Sequence, residues 1–398
     1  MSISRNPKNN RWYVLVDVPT GPDGKRRRRG VGGFKTKREA KAAEAEALRR
    51  IRDGVFVEPS RLTLGAYLTE MWLPSMRNQV RATTLGGYRH NVRAYLVPRL
   101  GNIRLQQLTT ARVGAFYGEL VVSGGREGRP LSPKTVRYVH TTLRRALRDA
   151  MADGLVVRNV AAQARPPRAR RVEMRTWTAE QVGIFLASVR EDRLYAAWLL
   201  LATLGMRRGE LLGLRWADVD LNEGRIAIRH TLVMVDGKPA MAEPKTAKGR
   251  RSLTLAPEVL DSLRVHHAHQ VAERLSQGTD YSDSGLVITA EDGRPMHPET
   301  LSGVFVRRAK RAGLPPIRLH DLRHSVASIL LARGVHPKVV SDMLGHATIA
   351  LTLDTYSHVI PSLQQEAANV VVAAVLDPAA TAPQPGREGQ VRAITSGS

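Results

Sequence analysis

The chain has 398 residues, 42% of them hydrophobic, and a formal net charge of +25. That length suits two or three domains with real cores, and the charge points to an anionic partner, nucleic acid ahead of an anionic membrane surface. With no cysteine, disulfides and thiolate metal sites are excluded and a reducing cytoplasm fits; no apolar run reaches the ~20 residues that span a bilayer, and residues 1–11 lack the apolar core of a signal peptide.

Residues 1–57 read as a small domain. Arg11–Val18 has strand composition, Gly21-Pro22-Asp23-Gly24 is a turn, and Lys25–Val31 returns as a basic second strand. Gly32-Gly33-Phe34 allows a short third strand. Thr36 opens a helix with Glu39 as its capping-box partner, and the helix runs to about Arg52. So small a sheet cannot bury Lys25, Arg26, Arg27, Arg28 and Arg29, which lie in solvent or on a ligand. Trp12 and Tyr13 nearby favour nucleic acid.

Residues 62–160 read as four helices. The first carries Leu64, Tyr67, Leu68, Met71 and Trp72 at helical spacing. The second opens at Thr83-Thr84-Leu85, carries Tyr88, Val92 and Tyr95 on one face, and ends at Pro98 and Gly101. The third opens at Thr109/Thr110 and buries Val113, Phe116, Tyr117 and Leu120. The fourth starts at Ser132-Pro133, with Val139, Leu143, Ala146 and Leu147 inward and Arg137, Arg144, Arg145 and Arg148 outward. Such an arginine face suits DNA. Residues 161–172, proline-containing and basic, read as a linker, either a solvated hinge or a segment lying on DNA.

Residues 173–376 form the last folded unit. Trp177-Thr178 starts a helix with Gln181 as capping partner, and Tyr195–Leu204 is a buried helix. Arg225–Val235, a turn at Asp236-Gly237 and Ser252–Leu255 make a small antiparallel sheet. Helices follow at about Pro257–Ser276, Pro298–Ala312, His320–Arg333, Pro337–Met343 and Leu363–Leu376. Residues 377–398, rich in Ala, Pro, Gly and Thr, read as a disordered tail. The expected fold is multidomain and mainly α: a three-stranded sheet with a helix, a four-helix domain, and a mixed α+β domain with a small antiparallel sheet.

Chemistry concentrates in the last unit. Arg207 lies three residues before Glu210, so on a helical turn the carboxylate can orient a guanidinium fork suited to two phosphate oxygens. Lys245, between two expected strands, can swing into a site and donate a proton. His320 and Arg323 share a helix face. His320 and His324 have zinc-ligand spacing, but Asp321-Leu322 replaces the glutamate of a His-Glu-x-x-His motif. His346 follows a glycine, and Tyr356 closes the series. A tyrosine is a poor nucleophile at its ordinary pKa of about 10, but its phenolate beside phosphate-binding cations is a plausible attacker of phosphorus.

The set resembles the phage integrase family of tyrosine recombinases. The resemblance rests on Gly205-Met206-Arg207 followed by Glu210, Lys245-Thr246, His320-Asp321-Leu322-Arg323-His324, Leu344-Gly345-His346 and Thr352-Leu353-Asp354-Thr355-Tyr356-Ser357-His358. Leu204 departs from the threonine common before that glycine and leaves the six central positions intact. The resemblance extends to residues 62–160 as a core-binding domain and 1–57 as an arm-type DNA-binding domain. It implies an integrase that cuts and rejoins DNA through a 3′-phosphotyrosyl link, integrating and excising a mobile element. Tyr356 would attack, Arg207, Arg323 and His346 would hold the phosphate, Lys245 and His320 would move protons, and Glu210 would support Arg207. It further implies double-stranded DNA with core and arm attachment sites, a homotetramer on DNA, an excisionase and a DNA-bending host factor as partners, and no cofactor. Four alternatives stand beside it. A dimer resolvase of the same family and a topoisomerase do not need residues 1–57. A DNA-binding regulator does not need Tyr356 or Lys245. A metal-dependent transposase needs more clustered carboxylates than Asp218 and Asp220.

Overall fold

The computed structural model describes residues 2–7, 9–18, 27–52, 57, 59–169, 174–244, 247–346 and 348–356, and the pairs 368–369, 371–372 and 375–376. The chain forms two compact units, Met1–Val172 and Glu173–Ser398.

In the first unit β1 (Ser2–Asn6), β2 (Arg11–Val18) and β3 (Arg27–Phe34) pair antiparallel in that order. The Lys37–Arg52 helix packs on them, and Val14 and Ala40 are buried among Ile3, Trp12, Phe34 and Ala43. Three strands were expected, but the third is Ser2–Asn6 and not Gly32–Phe34. Gly32 and Gly33, at φ of 144° and 110°, let β3 bend across a register shift opposite Trp12/Tyr13 and continue. A Cβ on Gly32 would meet the Phe34 ring at 2.8 Å, so glycine is required there. The capping box is offset by one residue: Thr36 Oγ1 accepts from the Glu39 amide at 3.2 Å, while the Glu39 carboxylate accepts from the Lys35 amide at 3.0 Å. Arg27, Arg28 and Arg29 lie on β3, across from Val18, Asp17 and Val16. Lys25 and Arg26 lie outside the described residues.

Four helical runs follow at 64–75, 82–100, 110–123 and 133–152. Leu64, Tyr67, Leu68 and Trp72 enter their common core. Met71, expected inward, is instead 46% exposed: the turn at Tyr67–Trp72 is a π-helix, whose wider circuit rotates residue 71 outward. A second π turn, Val92–Leu96, displaces the hydrogen-bond register ahead of Pro98, so the run continues to Leu100. Thr109 and Ser132 cap the last two runs, accepting from the amides of Arg112 and Thr135. Trp72 Nε1 and Arg145 Nε both donate to Asp149, at 2.9 and 3.1 Å, tying the first run to the fourth.

The second unit begins with the Thr178/Gln181 capping box on the Ala179–Ser188 helix. Trp177, Phe185, Trp198 and Phe305 stack around the buried Tyr195–Leu204 helix. Next come β4 (Val219–Asp220), β5 (Arg225–Ile228), β6 (Thr231–Val235), β7 (Lys238–Ala242) and β8 (Arg251–Thr254). The expected single sheet is divided: β4, β5 and β8 pair in that order, and β6 and β7 form a separate hairpin. Its turn residues Asp236 and Gly237 sit at φ of 50° and 79°, the conformation tight hairpins favour. Helices Pro257–Gln277, Pro298–Arg311, Leu319–Ala332, Pro337–Leu344 and Ile349–Tyr356 follow. The last of them was not expected. Of the expected Leu363–Leu376 helix only the three pairs are described, and all are helical. Among the described residues, no helix is long and apolar enough to cross a membrane.

Candidate active site

Two helix ends and one helix start build the site. The Tyr195–Leu204 and Pro337–Leu344 helices both end in left-handed glycines, Gly205 at φ 59° and Gly345 at φ 65°. The last carbonyls of a helix have no helical partner and carry the negative end of its dipole. Here arginines take them. Arg323 donates through Nη1 to the Gly205 carbonyl at 2.7 Å and through Nη2 to Leu344 at 2.6 Å. Arg207 donates through Nη2 to the Gly345 carbonyl at 2.9 Å. Consecutive carbonyls therefore bring the two guanidiniums side by side. A Cβ on Gly205 would lie 2.5 Å from Leu344 Cδ2, so the glycine also lets the two helix ends touch.

Arg207 caps the Arg208–Leu212 helix. Glu210 accepts from its backbone amide at 3.0 Å and from its Nη1 at 2.6 Å, as the spacing of three predicts. Glu210 is buried, and Arg251 grips it from the other side, Nη2 and Nη1 donating at 2.8 and 3.2 Å. Burial pushes this carboxyl up, but hydrogen bonds and charge from Arg251, then Arg207, hold it below the usual carboxylate range. Sequence reasoning missed Arg251. Its signal was strand alternation: Arg251 is two residues from the buried Leu253 on β8, so both fall on the inward face.

His346 is buried, and its Nδ1 shares a 2.8 Å hydrogen bond with Thr352 Oγ1. Burial and the charges of Arg323, Arg207, His324 and Arg251 lower its pKa to about 4. His320 is lowered to about 4 by packing first, then by His324, Arg323 and Arg207, with Asp321 opposing. It is nonetheless exposed along one edge, where water moderates that pull. The His320 and His324 rings meet edge-on, with centroids 5.2 Å apart. Asp321 is a helix-start clamp, accepting from the Arg318 amide and guanidinium. Arg207, Arg323, His320 and His346 thus lie within electrostatic reach of one another. Both histidines are neutral at pH 7.

A histidine whose folded pKa lies below its ordinary 6.5 stabilises fully above that value and loses the contribution as pH falls toward about 4. His140, His266 and His324 are lowered too, each chiefly by burial. The thermal unfolding midpoint should therefore fall as pH drops through this window. His346→Gln should flatten the fall relative to wild type, and parallel curves would contradict the shift.

Tyr356 is the last residue of the Ile349–Tyr356 helix, one turn beyond Thr352, the partner of His346. Lys245 lies outside the described residues, between the end of β7 and the short turn Ala247–Gly249. On the Pro133–Ala152 helix Arg137 and Arg144 are exposed. Arg145 and Arg148 pair with Asp149 at 3.1 and 3.4 Å, and the Arg148 side chain remains 59% exposed.

The model of the phage integrase family matches residues 176–362, that of an arm DNA-binding domain residues 2–51, and that of a phage integrase N-terminal SAM-like domain residues 66–121. A tyrosine recombinase XerC-like protein of Caldanaerobacter subterraneus is 28% identical over 90% of this chain and 96% of its own. The ICEBs1 integrase of Bacillus subtilis is 26% identical over 91% of this chain and 97% of its own. Among solved structures, the Tn1549 transposon integrase with transposon right end DNA matches at TM-score 0.62 and 22% identity, over 74% of this chain and 94% of that one. A lambda integrase tetramer bound to a Holliday junction matches at TM-score 0.56 and 19% identity, over 89% of this chain and 94% of that one. These structural matches carry the fold.

Proposed function

Since this chain belongs to the phage integrase family of tyrosine recombinases, enzymes that cleave and rejoin DNA, we propose that it recombines attachment sites through a phosphotyrosyl link to Tyr356. The observation that carries this reading is the pair of guanidiniums, Arg207 and Arg323, held on the adjacent carbonyls of Gly345 and Leu344 beside a neutral His346. In the proposed reaction the Tyr356 oxygen attacks phosphorus. The bond to the 5′-oxygen breaks, and the phosphate stays on the tyrosine as a 3′-phosphotyrosyl ester. Arg207 and Arg323 meet the non-bridging oxygens, where negative charge grows in the transition state. A neutral His346 that accepts the Thr352 hydroxyl at Nδ1 presents Nε2–H as a further donor. His320, also neutral, accepts the phenol proton, and Lys245 donates one to the departing 5′-oxygen. One ester replaces another, so no external energy source is required.

On this reading the whole protein acts as a homotetramer on double-stranded DNA. Residues 62–160 bind core sites, with Arg137, Arg144, Arg145 and Arg148 toward the backbone, and residues 1–57 bind arm sites. An excisionase and a DNA-bending host factor would set direction. The match of residues 2–51 to an arm DNA-binding domain supports an integrase over a dimer resolvase.

The test is a nicked core-site suicide substrate in EDTA, with the covalent adduct mapped by peptide mass. An adduct on Tyr356 is expected. An adduct on a different tyrosine, or none without magnesium, overturns the reading. For the arm sites, alanine at Lys25, Arg26, Arg27, Arg28 and Arg29 together should weaken arm-site footprints and flatten their salt dependence by roughly 0.9 log units per lost phosphate contact. The core adduct should persist. Unchanged arm footprints would remove these residues from the interface.

A further inference from the structure

Arg251 lies outside the residues just assigned to the reaction, yet its guanidinium makes four hydrogen bonds to three segments. It donates twice to Glu210, through Nε to the Met343 carbonyl at 2.7 Å, and through Nη1 to the Gly249 carbonyl at 3.2 Å. Its side chain is 7% exposed, against 38% for Arg207. Its four hydrogen bonds all run to protein groups, so its guanidinium is committed to holding the site together.

We propose that Arg251 is a positioning residue that keeps Arg207 directed at its ligand by occupying Glu210, and that fixes the helix end on which Arg207 and Arg323 rest. The inference rests on the reading of Arg207 as a phosphate-binding group. Two arguments carry it. The first is charge. Arg207, Glu210 and Arg251 sum to one positive charge. Were Arg251 absent, Arg207 would be the one cation among the described residues paired with the buried Glu210 carboxylate, and the pair would sum to zero. A buried carboxylate holds its remaining cation tightly, so Arg207 would be both neutralised and turned away. The second is geometry. Met343, which Arg251 holds, directly precedes Leu344 and Gly345, whose carbonyls seat Arg323 and Arg207. Gly345 fits this packing, since a Cβ there would lie 2.9 Å from Arg251 Nη1. Arg251 also opens β8, six residues after Lys245. One buried guanidinium therefore joins the turn at Ala247–Gly249, which follows the proposed proton donor in sequence, to the phosphate pocket.

A merely structural arginine and this one differ in the sign of a double-mutant cycle. The measurement is single-turnover cleavage of pre-bound suicide substrate by full-length protein, beside the DNA dissociation constant and the unfolding midpoint. Arg251→Met should slow cleavage roughly 10- to 100-fold, the order seen when an orienting partner is removed, with DNA affinity little changed. Adding Glu210→Gln should then raise the rate several-fold above Arg251→Met, because the competing carboxylate is gone and no longer draws Arg207 away from its ligand. In the wild-type background Glu210→Gln should lower the rate, since Arg207 loses its brace. Arg251→Lys keeps the charge but not the paired contacts, so its rate should fall between wild type and Arg251→Met. It also serves should Arg251→Met fail to fold. Cleavage by Arg251→Met or Arg251→Lys at the wild-type rate overturns the proposal. So does a double variant no faster than Arg251→Met. An absent adduct in wild-type protein would bring down the recombinase reading and this inference together. Normal wild-type cleavage with additive defects sinks the inference alone.

Discussion

Alanine at Arg207 or Arg323 should lower strand cleavage by ~10²–10³-fold, the usual cost of removing one donor to developing transition-state charge. DNA affinity should change far less. Most of it comes from phosphate contacts spread over the molecule, and the +25 formal charge is distributed along the whole chain. The two variants should differ in a second respect. Arg207 is partly exposed, and its loss leaves Glu210 paired with Arg251. Arg323 is 3% exposed and ties Gly205 to Leu344, so its loss strands two buried carbonyls and should lower stability as well. Arg323→Lys tests the geometry alone. Its single ammonium keeps the charge but not the planar fork that spans both carbonyls and a phosphate, and it should remain strongly impaired. Rates of adduct formation, dissociation constants and unfolding midpoints separate these effects. Cleavage near the wild-type rate in both alanine variants would displace the phosphate pocket from this cluster.

What could be read from the sequence was local. The Thr178/Gln181 capping box, the Asp236-Gly237 turn and the Arg207–Glu210 brace each need only neighbours three or four residues away, and each stands as the spacing implies. Features that depend on distant partners were not legible. Ile349–Tyr356 is rich in Ile, Leu and Thr, and β-branched residues weaken a helix. That segment is anchored by the buried Thr352 on His346. Ser2–Asn6 has one aliphatic residue, Ile3, and pairs only with β2. Met71 follows an α-helical stripe, but a π turn moves it to solvent. Arg251 ends the basic run Lys248-Gly249-Arg250-Arg251. Only the fold shows it enclosed between Glu210 and Met343. The site's first contacts were thus visible as motifs, while the buried group proposed to hold them was not.

Lys245→Ala should slow cleavage of an ordinary substrate by ~10²–10⁴-fold, the range of general acid catalysis, and a better leaving group should erase most of that loss. The departing 5′-oxygen is a poor leaving group unless protonated as the bond to phosphorus breaks. A 5′-phosphorothiolate replaces it with sulfur, which leaves as a thiolate without a proton. Lys245→Ala should therefore approach the wild-type rate on the sulfur substrate, while Arg323→Ala, whose role is charge on the phosphate, should stay slow on both. Lysine suits the task because its ammonium carries three donor N–H bonds on a long four-carbon stem. The described residues on either side are held: β7 ends at Ala242, and the Arg251 guanidinium donates to the Gly249 carbonyl while holding Glu210. Lys248, three residues on from Lys245 and within the Ala247–Gly249 turn, is the rival donor. It is exposed, and its carbonyl lies against Gly345. Lys248→Ala should leave the oxygen-to-sulfur ratio at its wild-type value. Equal defects of Lys245→Ala on oxygen and sulfur would take the acid role from Lys245, and a sulfur rescue confined to Lys248→Ala would give it to Lys248.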